Sequence, residues 1–410
     1  MKGNFLWGVA TSAFQLEGSL DADWASWDSI LSSNPDITNH YTLYKKDLQL
    51  LKELGLNAYR FSLEWSRIQP RENIWDGKAI AHYQEIIDIL LENNIEPMLT
   101  IHHFTHPLWF IKKYPWHNEI SIEKFLAFAE KIVTKIKGVR YWITFNEPYV
   151  LILGGYLEGC MPPGIRDTSL SLRALKNIFI CHARTYDIIH SKVPKAMVSI
   201  AHNMAAFAPW RRWNPFDRAI AKIGKYVYNH SLLDAFLTGV MRIKFPFRRE
   251  VEVELPIKDK LDFFGVNYYT RVHMRFNPLK KMCIEVRHRD IDGHGLTDVG
   301  WEIHPYGITK VLRYASKLNV PLIITENGIA THDSEKKIRF MKRHVDMIEK
   351  CIKEGIDVRG YFYWSLIDNY EWLQGLDARF GLYKVDFDTL ERKPTAAATY
   401  YSYLIKSRNF

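Results

Sequence analysis

Short apolar runs alternate with amphipathic stretches along most of the chain. Runs at 5–10, 56–63, 95–101, 139–146, 196–203, 261–267, 321–325 and 358–365 have the length and the β-branched and aromatic content of buried strands. Between and after them, apolar residues recur at helical spacing over 41–54, 80–93, 121–137, 170–191, 226–238, 305–318, 335–353 and 394–405. Gly55, Gly239 and Gly355 stand where three of these helices should stop, Ser121 reads as an N-cap, and Pro305 suits a first turn. Residues 21–40, the basic stretch 204–225 and the polar stretch 271–300 show no clear period and read as irregular or loop segments.

Strand followed by helix, about eight times, predicts an α/β fold with a parallel sheet. An open doubly wound sheet is the rival, but the Gly-rich phosphate loop that often marks one is missing. The pattern therefore predicts a single (β/α)8 TIM barrel over residues 1–410, with no linker and no internal repeat. In such a barrel all strand C-termini open on one face. Gln15, His103, Glu147, Asn267, Glu326 and Trp364 then share one mouth despite their separation in sequence.

Two of those strands end alike. Ile143-Thr144-Phe145-Asn146-Glu147-Pro148 and Ile323-Ile324-Thr325-Glu326-Asn327-Gly328 each carry a carboxylate to a strand end beside an amide. Pro148 lacks an N–H, stops the strand, and predicts an extended Glu147. Two facing carboxylates are what cleavage of a glycosidic bond requires. Read singly, each Glu could cap a helix or face solvent. Arg60 is a lone charge in the apolar run 56–63; it either faces outward or, buried, needs a carboxylate partner, and the apolar flanks favour the partner, with bridging two strands as the bland alternative.

Composition narrows the picture. Of 410 residues, 47% are apolar, enough for one large core, and 13 Trp, 22 Tyr and 22 Phe supply stacking faces as well as packing. The net charge of +9 is spread out, with local clusters at Arg211-Arg212, Arg248-Arg249 and Lys280-Lys281. No helix carries a basic stripe interleaved with aromatics, so nucleic-acid binding is not expected; weak attachment to anionic surfaces and homo-oligomer formation stay open. Cys160, Cys181, Cys283 and Cys351 form no paired motif and read as reduced, buried thiols of a cytoplasmic protein. The N-terminus shows no signal-peptide run, and no run of about 18 apolar residues predicts a membrane span.

With these motifs in hand, the chain resembles glycoside hydrolase family 1, the β-glucosidase and β-glycosidase family. The resemblance extends from Phe5-Leu6-Trp7-Gly8-Val9-Ala10-Thr11-Ser12-Ala13-Phe14-Gln15 through Tyr59-Arg60-Phe61-Ser62-Leu63-Glu64-Trp65, Thr144-Phe145-Asn146-Glu147-Pro148, Asn267-Tyr268-Tyr269 and Thr325-Glu326-Asn327-Gly328 to Trp364-Ser365-Leu366-Ile367-Asp368-Asn369-Tyr370-Glu371-Trp372. It implies Glu326 as nucleophile and Glu147 as acid/base, with Asn146 on the sugar 2-OH and Arg60 and Tyr269 flanking the nucleophile. It further implies Gln15, His103, Glu371 and Trp372 on the hydroxyls of the non-reducing sugar, Trp364 as its floor, and Asn267 and Phe380 at further subsite positions. Small-molecule β-glycosides are the implied substrates, with no cofactor and no metal.

The chain also departs from the family pattern. Where members often carry a Tyr-His-Trp-Asp-Leu-Pro type segment, this chain has His102-His103-Phe104-Thr105-His106-Pro107, and Phe104 replaces an indole that could donate a hydrogen bond. The chain is short for the family, with the shortening in loops around 160–260 on the leaving-group side. Glu371 disfavours a phosphorylated sugar, and Glu147 disfavours the thioglucosidase variant. The alternatives are a transglycosylating enzyme, an inactive sugar-binding barrel, or a metal hydrolase using His102, His103 and His106. Adjacent histidines on a strand point to opposite faces and chelate poorly together. Trp109, Phe110, Tyr149 and Tyr156 either line a greasy leaving-group site or pack beneath loops.

Overall fold

The structure, a computed structural model, describes residues 5–28, 31, 37–244 and 249–408. Residues 1–4, part of the 21–40 stretch and Arg248 lie outside the described residues. Eight parallel strands close into a barrel: β1 Leu6–Ala10, β2 Ala58–Ser62, β3 Glu96–His102, β4 Tyr141–Asn146, β5 Met197–Pro209, β6 Phe264–Phe276, β7 Leu322–Asn327 and β8 Val358–Trp364. Neighbours pair in chain order, and β8 closes on β1 through Leu6↔Gly360 to Ala10↔Trp364. This is the (β/α)8 TIM barrel expected from the pattern.

Burial on both faces explains the near-continuous apolar runs. Inside the barrel, Leu6, Ala58, Met98, Ile143, Ala201, Ile323 and Phe362 form a small core. Outside, a larger cluster joins the strands to the helices. Gly8 is required by the tight interior: a Cβ there would stand 2.5 Å from the Phe362 ring and 2.8 Å from the Ala58 carbonyl oxygen. Several helices start where an acidic or amide side chain caps them. Asp76 accepts from Lys78 and Ala79 N–H at the head of Gly77–Glu92, and Asp333 does the same for Ser334–Lys353.

Several expectations need correction. Ser121 is not an N-cap: the helix is Ile120–Lys135, and the Ser121 hydroxyl donates to the Trp116 carbonyl. The stretches 204–225 and 271–300 are not loops throughout. β5 and β6 run past the barrel rim and stay paired as far as Pro209↔Met274, and Ile284–Arg287 adds an antiparallel strand to β6. Helix Pro215–Lys225 packs on this extension, because Ile220 and Ala221 cover Met274, with Phe207, Val272 and Phe276 alongside. Of the thiols, Cys181 and Cys351 are buried, but Cys160 is exposed and Cys283 is half-buried. Among the described residues, no helix is long and apolar enough to cross a membrane.

Candidate active site

At the end of β7, Glu326 is buried and held by two charge-favouring donors. Arg60, from β2, donates from Nη1 to its Oε1 at 2.6 Å, and Tyr269, from β6, donates its hydroxyl to Oε2 at 2.6 Å. The guanidinium also donates to the Thr325 carbonyl, Thr100 Oγ1 and Asn146 Oδ1. One buried cation thus ties β2, β3, β4 and β7 together, and it serves both readings of Arg60, carboxylate partner and strand bridge. Beyond Asn327 the chain turns beside β8. A Cβ on Gly328 would lie 1.9 Å from the Trp364 carbonyl oxygen, so only glycine fits there.

Glu147, at the end of β4, is also buried but has different company. Its Oε1 accepts from Asn267 Nδ2 at 2.7 Å and from Asn203 Nδ2 at 3.0 Å, both neutral amides. Tyr228 donates to Asn203 Oδ1, and Thr325 donates to Asn267 Oδ1, which fixes how each amide faces. The expected extended Glu147 is wrong: its backbone is left-handed, at φ 44° and ψ 60°. Proline disfavours the right-handed helical region for the preceding residue, and the contacts of Glu147 with β5 and β6 select a strained alternative. Asn146 Oδ1 accepts from both Arg60 and Asn267, so a hydrogen-bonded chain runs across the mouth from Glu326 to Glu147.

Burial raises both carboxyls, but unequally in cause. Burial first, and the Glu326 charge second, push Glu147 up to about 8; amide donors and Arg60 oppose this. Burial also raises Glu326, while the Arg60 charge and hydrogen bonds from Tyr269 and Arg60 pull it back.

Around the pair, Trp364 donates from Nε1 to Glu371 Oε1 at 2.5 Å. Burial, with smaller contributions from Glu326 and Glu147, pushes Glu371 up to about 8. His103 accepts at Nε2 from Asn146 Nδ2, because Asn146 Oδ1 is already taken; its proton is then on Nδ1, which has no partner. Burial and then Arg60 hold this ring well below the usual histidine range, so it is neutral. Trp372 stacks on Phe14 at 6.1 Å and meets Phe104 edge-on at 5.3 Å. Phe380 packs against Tyr269 and Trp301.

A cavity of about 920 Å³ opens over these residues. His103, Asn146, Glu147, Tyr269, Glu326, Trp364, Glu371, Trp372 and Phe380 line it. Arg60 and Asn267 stand behind, acting on the lining carboxylates through hydrogen bonds. Gln15 also lies back, its amide committed to Ser12, Asn369 Oδ1 and the Tyr370 carbonyl. Asn203, Tyr228 and Trp301 line the cavity too and were not among the sequence candidates. An Asn closing a strand run, as at 267, is the signal that could have found Asn203.

Other candidates fall elsewhere. His106 pairs with Asp23 and accepts from Trp116, and His102 packs among Trp116, Phe125 and Phe145. His102 meets the His106 ring at 4.8 Å, but His103 faces Trp364 and Trp372 instead, and among the described residues no group of His, Cys, Asp or Glu is arranged to hold a metal. Phe110 and Tyr156 are core residues and Trp109 donates to the Gln69 carbonyl; of the four aromatics only Tyr149 reaches the cavity.

Paired buried carboxylates at the C-terminal face of a (β/α)8 barrel, beside an indole, define a glycoside hydrolase. The glycosyl hydrolase family 1 model matches residues 1–410, and the chain belongs to that family of β-glycosidases. It is 33% identical to beta-glucosidase A of Thermotoga maritima over 98% of this chain and 97% of that protein. It is 28% identical to a beta-galactosidase of Pyrococcus woesei over 95% of this chain and 94% of that one. The solved beta-glycosidase from Pyrococcus horikoshii superposes with a TM-score of 0.89 at 38% identity, covering 98% of this chain and 94% of that one.

Proposed function

We propose that the protein is a retaining β-glycosidase that releases the terminal non-reducing β-D-glycosyl residue of small, alkyl or aryl glycosides. Glucose is the first sugar to test, with galactose and fucose beside it; the names of the Thermotoga and Pyrococcus relatives support both glucoside and galactoside. Glu326 attacks the anomeric carbon while Glu147 protonates the leaving oxygen. Glu147, now a carboxylate, then takes a proton from the water that hydrolyses the glycosyl-enzyme. Asn146 meets the sugar 2-OH; His103, Glu371 and Trp372 serve the remaining hydroxyls, Trp364 is the floor, and Gln15, set back from the cavity, braces the Asn369-Tyr370 segment beside Glu371. Asn267 orients Glu147, and Phe380 closes the far wall. Burial pushes the Glu371 carboxyl up, and in its protonated form it donates as well as accepts.

The observation that carries this reading is the contrast between the two carboxylates: a cation and a phenol on Glu326, neutral amides on Glu147. It supports an ionised nucleophile facing a protonated acid. The test follows 4-nitrophenyl β-D-glucoside by proton NMR and in the Glu326→Ala variant. The first-formed sugar should be the β-anomer, and the variant should lose on the order of 10⁴-fold or more in kcat. An α-anomer first, or full activity in the variant, overturns the proposal.

A further inference from the structure

Tyr269, which donates to Glu326, leans on a ring from an irregular part of the chain. Trp301 packs edge-on against Tyr269, with centroids 5.8 Å apart, and reaches Phe380 at 6.4 Å. It lies between strand Ile284–Arg287 and helix Tyr306–Ala315, where isolated bridges pair Glu302 with Arg271 and with Leu296. A hydroxyl aimed at a reacting group needs a fixed wall behind its ring, and an irregular segment must be held from outside to provide one. The residue after Trp301 does this. Glu302 is buried, and Arg271 donates from Nε to its Oε2 at 2.8 Å and from Nη2 to its Oε1. His273 donates from Nε2 to Oε2 at 2.7 Å, and the Ile291 N–H donates to Oε1 at 3.0 Å. The Thr270 hydroxyl donates to the Glu302 carbonyl, and Asp292, paired with His304, stands 3.2 Å from Arg271. Burial opposes the charge on Glu302, but the hydrogen bonds from His273 and Arg271 outweigh it and hold the carboxyl at about 2.

We propose that Glu302 and Arg271 are positioning residues: their ion pair locks Trp301 against Tyr269 and so aims the Tyr269 hydroxyl at Glu326. The proposal rests on the hydrolase reading above. Arg271 follows Tyr269 by two residues and Glu302 follows Trp301 directly, so one pair clamps the backbone beside both rings. A buried ion pair is a weak source of stability, because desolvation offsets its attraction. Its two parallel bonds fix orientation as well as distance, which is what a ring wall requires.

The test compares Glu302→Gln with the wild type on 4-nitrophenyl β-D-glucoside, reading kcat and kcat/KM against pH. Gln keeps the shape of the side chain and loses the charged fork. The variant's kcat should fall by about 10- to 100-fold, the effect of a small misplacement at the reacting centre. Its acid limb should move to higher pH, because the Tyr269 hydrogen bond that pulls Glu326 down is weakened. The direction is diagnostic: deleting the negative charge of Glu302 would by itself favour an ionised Glu326 and move the limb down. In a Tyr269→Phe background the same substitution should add little further loss of kcat, since the route it acts through is already cut. Arg271→Lys keeps the charge but not the fork, should show the same two changes, and serves if Glu302→Gln does not fold. A folded variant whose acid limb stays or moves down, or whose loss multiplies with that of Tyr269→Phe, overturns the positioning role and leaves the hydrolase reading intact. Failure of the wild type to turn over any glycoside overturns the hydrolase reading and this proposal with it.

Discussion

The ends of β4 and β7 present the same residue type, equally buried, in two different settings. At β7 the carboxylate of Glu326 meets a guanidinium and a phenol that favour its charge. At β4 the carboxyl of Glu147 meets only the amides of Asn267 and Asn203, and the charge of Glu326 opposes its ionisation. Burial alone raises both and assigns no role. The partners divide the labour, because each stabilises one protonation state over the other.

The contrast is best broken by removing one side at a time. Glu147→Gln should cost about 10²–10⁴-fold in kcat/KM on an alkyl glucoside, whose leaving group needs a proton, and far less in kcat/KM on a dinitrophenyl glucoside, which does not. A uniform loss of kcat/KM across leaving groups would deny Glu147 the acid role. The wild-type kcat/KM should fall as pH rises through about 8, as Glu147 loses its proton, and this basic limb should vanish in Glu147→Gln on the activated substrate.

Arg60→Met should cost roughly 10²–10³-fold. It should also cost about 3–5 kcal/mol of stability, since Glu326 and Asn146 lose a shared buried partner. The guanidinium lowers the pKa of Glu326, so its loss should move the acid limb to higher pH; an unmoved limb would separate that limb from Glu326. Tyr269→Phe removes one charge-assisted hydrogen bond, worth about 1.5–3 kcal/mol, and should slow kcat by about 10- to 100-fold. Asn203→Ala is the smallest test. Its amide favours the charged form of Glu147, so deleting it should shift the basic limb upward and leave the acid limb in place. A shift of the acid limb instead would mean the two settings are not separable.

Much of this contrast is legible in the sequence. Apolar runs that end in Asn146-Glu147 and Thr325-Glu326 mark strand ends because a barrel strand is buried on both faces until it reaches the mouth. Arg60 stands out as a charge inside such a run. The rest depends on long-range contacts. Asn203 closes its run as Asn267 does, but Tyr228, which holds it, lies on a helical stretch with no local link to the mouth. Trp301 sits in a polar stretch whose fold is set by pairing with the extended β6. The left-handed backbone of Glu147 runs against the extended preference that Pro148 imposes, because tertiary contacts prevail over a local bias. Helix Pro215–Lys225 did carry a start signal: Asn214 before Pro215, its side chain accepting from Phe216 and Asp217 N–H. Its basic composition masks the apolar spacing of Phe216, Ile220 and Ile223.

The most direct measurement is covalent trapping with a 2-deoxy-2-fluoro-β-glucosyl fluoride, followed by peptide mass spectrometry. The fluorine slows release of the sugar and the good leaving group keeps attachment fast. One sugar mass on Glu326, in the peptide containing Thr325 and Asn327, is the predicted result. A sugar on Glu147 or on any other side chain, or no adduct while hydrolysis of ordinary glucosides proceeds, would contradict the account.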